Sequence, residues 1–248
     1  MAESPRAPRA SGRGAAPDRA GFRLAIGLAL VAGLAWAFTA AMARMDHGEV
    51  VSLPGFLAAW TVMMAAMMFP SLIPGALAFA ALVRPRTRRP LLAACLFPAG
   101  YLAAWALLGL PAHALLAGAG ALRAGFPELA AHAAAAGGIA LVGCGLYQLT
   151  PFKERCLRHC RAPHLFLGQH WRDGPGGALA LGAHHGLTCA GCCASLMGAL
   201  LVVGVMDLAW MIGLGLLILL EKLLPFGAWV GRAAGLALCA LGVARILA

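Results

Sequence analysis

Charge is scarce in this chain. Of its 248 residues only 11% are Asp, Glu, Lys or Arg, and the acidic ones number nine. A soluble domain carries about 25% charged residues, so this chain lacks the polar surface of a water-exposed globule or a disordered chain. Familiar chemical motifs are missing as well. There is no Walker-type phosphate loop, no G-x-S-x-G elbow, no H-E-x-x-H, no C-x-x-C-H haem attachment and no Rossmann fingerprint. ATP-driven transport and the common hydrolases therefore have no support. No internal repeat or half-chain symmetry of the transporter type is visible.

What the chain has is apolar length. Hydrophobic residues make up 62% and the mean hydropathy is +0.84. At ~20 apolar residues per crossing, the chain accommodates six or seven membrane helices and no large soluble domain. The sequence thus predicts an all-α, polytopic transmembrane helical bundle set in a lipid bilayer. Residues 1–21, rich in Pro, Ala, Gly and Arg, read as a disordered basic tail. Residues 22–248 read as a single helical membrane domain. Its spans fall near 22–43, 55–83, 91–117, 129–149, 178–204, 206–224 and 228–247, and the break at Asp207 is the least marked.

Lys and Arg exceed Asp and Glu by 19 to nine, a net charge of +10. The excess alternates between loops: Arg6 to Arg23 in the tail, Arg84 to Arg89 after the second span, and Lys153 to Arg172 in a basic loop at 150–177. This is positive-inside patterning rather than a nucleic-acid footprint. It places the N-terminus and the 150–177 loop in the cytoplasm, where cysteines stay as thiols.

Three clusters carry candidate chemistry. The first is His184-His185-Gly-Leu-Thr-Cys189-Ala-Gly-Cys192-Cys193. His185, Cys189, Cys192 and Cys193 share one helix face, and thiolates with imidazole suit Cu(I), Zn(II) or Fe. One face of one helix cannot enclose an ion, so a second element must complete the set. The second cluster is Met63, Met64, Met67 and Met68, two i,i+4 thioether pairs just before Pro70. Methionine is also a flexible core filler, but counting inward from the outer ends puts this stripe and the cysteines at similar depth. The third is Cys156, His159 and Cys160 in the basic loop, whose spacing permits a metal clip on one helical turn or a lipid-facing basic helix. Glu221-Lys222 reads as a snorkelling boundary pair. His113 and His132 are isolated.

Taken together, these blocks resemble a bacterial family of predicted metal-binding integral membrane proteins. The residues that carry the resemblance are W-T-V-M-M-A-A-M-M-F-P from Trp60 to Pro70, Gly100-Tyr101 with Trp105, and Y-Q-L-T-P-F-K-E-R-C-L-R-H-C-R-A-P from Tyr147 to Pro163. They continue with H-G-L-T-C-A-G-C-C from His185 to Cys193, Gly204-Val-Met206, and E-K-L-L-P from Glu221 to Pro225. Two positions depart from the pattern: Ala194 stands where Trp is common, and Asp207 where Asn is usual. The resemblance implies a multi-pass protein of the bacterial plasma membrane with a metal site. The expected cargo is a soft metal, copper before zinc or iron, handled by transport, delivery or detoxification, with other membrane or metallochaperone proteins as partners. Two other readings stay open: a thiol-redox enzyme or metalloenzyme assembly factor, and a packing subunit of a membrane complex.

Overall fold

The computed structural model describes residues 19–44, 52–126, 128, 132–205 and 207–247. Regular structure among them is helical throughout. The elements are α1 (Arg19–Ala43), α2 (Leu53–Val83) with a 3-10 turn at Arg84–Arg86, α3 (Pro90–Gly125), α4 (Ala133–Gln148), α5 (Pro151–Arg161), α6 (Pro163–Gln169), α7 (Gly174–Val203), α8 (Leu208–Leu223) and α9 (Gly227–Leu247). The expected all-α class is found. The predicted tail ends earlier than expected, since Arg19 to Gly21 already belong to α1; the rest of it lies outside the described residues.

Local chemistry sets the helix starts. Ser52 accepts from the Gly55 amide ahead of Pro54, Thr150 from the Lys153 amide ahead of Pro151, and Asp207 from the Trp210 amide. Each side chain satisfies an amide that a helix start leaves without a partner. Asp207 therefore opens a helix of its own, after Gly204 has closed α7 at φ 138°. Pro70 and Pro74 in α2, and Pro98 and Pro111 in α3, sit inside continuous helices.

Among the described residues, five helices are long and apolar enough to cross a membrane: α1, α2 with its 3-10 extension, α3, α7 and α9. Two predicted spans come out shorter. Helices α4 and α8 have 16 residues each, ~24 Å at 1.5 Å per residue, against the ~30 Å of a hydrocarbon core. Helix α4 bends by 60° into α5, and the pair together could make a sixth crossing. The segment 150–177, expected as a loop, instead folds into the short helices α5 and α6, followed by the start of α7.

Helices α3 and α7 approach along glycines. A Cβ on Gly182 would collide with the Phe97 carbonyl, one on Gly100 with the Leu179 carbonyl, and one on Gly186 would sit 2.8 Å from the Tyr101 carbonyl. Only hydrogen at these positions lets the backbones meet, as small residues do between membrane helices. That approach brings Tyr101 of α3 against Cys189 of α7.

Candidate metal centre

The cysteines of α7 lie at its midpoint and face inward. Cys189, Cys192 and Cys193 are at most 1% exposed. Helical spacing stacks their sulfurs: Sγ of Cys192 lies 3.5 Å from that of Cys193, and Sγ of Cys189 lies 4.0 Å from that of Cys193. The second element needed to close the site is α5. It brings Cys160 Sγ to 3.7 Å from Cys192 Sγ. The Sγ atoms of Cys160, Cys189 and Cys192 all lie within 4.8 Å of one another. All eight cysteines are free thiols.

Two polar groups address Cys189. Tyr101 Oη lies 2.9 Å from its sulfur. Lys222 Nζ, from the end of α8, donates to the same sulfur at 2.9 Å and to Ser71 Oγ of α2 at 3.0 Å. The neighbouring carboxylate is already engaged. Glu221 pairs with Lys153 of α5 at 2.8 Å and accepts from Gln148 Nε2 of α4 at 2.7 Å. Ser195 Oγ of α7 donates to Gln148 Oε1 at 2.6 Å. A buried ammonium requires an anion or a good acceptor, and for Lys222 the acceptors are the Cys189 sulfur and the Ser71 hydroxyl. The short helices now have a physical reason to stop. Helix α4 ends at Gln148, and α8 carries Glu221 and Lys222 in its last turn, so both deliver polar side chains to one buried layer.

Helix α5 is held against this layer by three devices. They are the Thr150 cap at its start, the Lys153–Glu221 pair in its first turn, and Arg161 at its end, which donates to the carbonyls of Leu224 and Pro225 at 2.6 and 2.8 Å. Gly191 leaves room on α7 for Cys156, whose Sγ would be 2.9 Å from a Cβ there.

The family model described as the copper chaperone PpoB2 matches residues 57–245. The chain belongs to the PpoB2 copper-chaperone family. No curated protein and no solved structure matches it. In this member of the copper-chaperone family the matched region contains every residue of the thiol layer, from Ser71 to Lys222.

The residues singled out by sequence are distributed as follows. Cys189, Cys192 and Cys160 converge, with Cys193 in contact. His185, one turn before Cys189, is buried among the rings of Phe97, Tyr101 and Phe166, and its Nδ1 has no hydrogen-bond partner. His184 and His159 are exposed, and His159 Nδ1 meets the Arg155 carbonyl at 2.8 Å. Met63, Met64, Met67 and Met68 are buried. Met67 packs toward Gly215 of α8, and Ser71 of α2, one turn further on, accepts from the Lys222 ammonium. Glu221 and Lys222 are corrected: they do not snorkel to a boundary but are 2% and 8% exposed, in the core. The sequence reading also missed Tyr101, Gln148, Lys153 and Ser195. An ionic Glu-Lys step ending an otherwise apolar helix was the available signal for this layer.

Proposed function

We propose that this chain is an integral membrane copper chaperone that holds Cu(I) on the thiolates of Cys160, Cys189 and Cys192 and passes it to a partner protein. The observation that carries the reading is the meeting of three thiols from two helices inside one buried polar layer. Cu(I) is soft and favours such sulfur donors. Three thiolates around a monocation leave two negative charges, which the Lys222 ammonium offsets in part through its hydrogen bond to Cys189. Tyr101 orients the same sulfur from α3. Outer partners of this kind fix ligand geometry and tune affinity. Each thiol that takes the ion gives up its proton, so loading couples to proton release.

Copper here is cargo, so the site has to open. Cys160 stands on the short α5, whereas the other two thiols stand on the long α7. Withdrawal of α5 removes one donor of the three and frees a coordination position for an incoming ligand. The basic connections between helices, with Arg84, Arg86 and Arg172, face the cytoplasm of a bacterial plasma membrane in this reading.

The test is elemental analysis of the full chain purified in mild detergent under reducing conditions, with X-ray absorption at the copper edge. Wild type retains copper with a sulfur first shell, and Cys160→Ser and Cys192→Ser each lose it. Full copper retention by a well-folded variant with Cys160, Cys189 and Cys192 all changed to Ser overturns the assignment.

A further inference from the structure

Four imidazoles surround one phenylalanine on the basic side of the thiol layer. The ring centroid of Phe166, on α6, lies 4.8 Å from that of His170, 5.0 Å from His184, 5.2 Å from His185 and 6.3 Å from His159. His159, His170 and His184 are exposed, whereas His185 is buried. The chain thus offers a graded series of nitrogen donors, from the surface to one helical turn short of Cys189.

Two of the outer donors, His170 and His159, are oriented as ligands. His170 Nδ1 lies 3.1 Å from the Phe166 carbonyl and His159 Nδ1 lies 2.8 Å from the Arg155 carbonyl. A carbonyl only accepts, so each ring donates from Nδ1, and the neutral ring then leaves its Nε2 lone pair available. This is the orientation in which a histidine is usually presented to a metal. His170 and His184 meet ring to ring at 4.4 Å, edge to face. They border an open recess of about 430 Å³ that Trp171 and Arg172 also line. Inside, the Nδ1 of His185 is buried without a partner, a cost that a core histidine normally avoids. Its Nε2 faces the gap left by Gly75, where a Cβ would lie 3.6 Å away.

We propose that His170 and His184, assisted by His159, form a second, nitrogen-donor copper site at the mouth of the chaperone, and that His185 hands the ion on to Cys189. This proposal rests on the thiol-site reading for the destination of the ion but not for the mouth site itself. The ion moves as Cu(I) by exchange of ligands. Each imidazole keeps its lone pair when the ion leaves, and each receiving thiol releases its proton to solvent as the ion binds. No electron is transferred. Imidazole binds Cu(I) less tightly than thiolate does, so the order of donors runs downhill toward the thiol layer.

The experiment is a Cu(I) titration of the detergent-purified full chain against a chromophoric Cu(I) chelator, with X-ray absorption on each form. Wild type is expected to take a tighter, sulfur-bound equivalent and then a weaker, nitrogen-bound one. His170→Ala with His184→Ala loses only the second, and its thiol site loads slower by on the order of tenfold. Both residues are exposed, so this variant folds. The variant with Cys160, Cys189 and Cys192 changed to Ser keeps only the nitrogen-bound equivalent. A wild type that takes sulfur-bound copper alone, or a double-Ala variant that keeps the nitrogen-bound equivalent, overturns the mouth site and leaves the thiol site standing. Nitrogen-bound copper without any sulfur-bound copper does the reverse.

Discussion

Lys222 at the end of α8 and Cys189 at the middle of α7 meet as ammonium and sulfur at 2.9 Å, with no carboxylate between them. The adjacent Glu221 could have neutralised Lys222, but it is spent on Lys153. The arrangement leaves one positive charge aimed at the thiols. Replacing Lys222 by Met removes that charge and keeps most of the side-chain volume. Affinity for Cu(I) should fall about 10–100-fold, as it does when outer partners of metal ligands are lost. The metal-free protein should melt no lower than wild type, because a buried charge is costly to its own fold. Chelator competition and a thermal melt of the metal-free protein separate these effects; an equal loss in both would mark Lys222 as merely structural.

The Lys153–Glu221 pair serves a different end. It pins α5, and with it Cys160, to α8. Both partners are at most 3% exposed. Lys153→Met leaves Glu221 buried with only Gln148 to answer it, a loss of ~3–5 kcal/mol for a buried pair broken on one side. Adding Glu221→Gln to Lys153→Met should restore most of that stability, since the uncompensated charge is gone. Denaturant or thermal unfolding in detergent reads both variants, and a double variant as unstable as the single one contradicts the account.

Close approach of α3 and α7 is the precondition for the Tyr101–Cys189 contact. Gly182→Ala drives a methyl group into the Phe97 carbonyl, an overpacking that costs roughly 1–3 kcal/mol. It should also lower copper retention, by moving Tyr101 away from the sulfur. Gly118→Ala on α3 is the control. Nothing lies within 4 Å of a Cβ there, so stability should hold or rise by up to ~1 kcal/mol from better helix propensity. Matched melts and copper assays of the two variants make the comparison.

The helical class and the inward face of α7 were legible because both depend on local periodicity: apolar runs for the class, i,i+4 and i,i+3 spacing for Cys189, Cys192 and Cys193. The break at Asp207 was faint in hydropathy but is written in side-chain chemistry, as a capping Asp after Gly204. What could not be read was set by long-range approach. Cys160 joins Cys192 across 32 positions of sequence, and Lys222 reaches Cys189 across 33. Hydropathy assigned Glu221 and Lys222 to a boundary because it assumes full-length spans. A helix that stops at 16 residues puts its terminal charges inside the protein instead.

The methionine stripe is where packing and ligation make opposite forecasts. Met63, Met64, Met67 and Met68 are all at most 2% exposed. Met67 is directed at Gly215 of α8, with the Trp36 ring of α1 beside the same glycine. Ser71 of α2 accepts from the Lys222 ammonium that also meets Cys189, and its hydroxyl donates to the Met68 carbonyl at 2.9 Å. In the reading proposed above the thiols hold the ion and the stripe packs beside them. Met67→Leu with Met68→Leu conserves volume and should cost less than about 1.5 kcal/mol per site. Copper content and the sulfur first shell should be unchanged. Ser71→Ala, by contrast, removes one of the two acceptors of Lys222 and should weaken Cu(I) retention while leaving the methionines in place. A loss of copper from the Met-to-Leu pair that matched the loss from Cys192→Ser would return the thioethers to the ligand set.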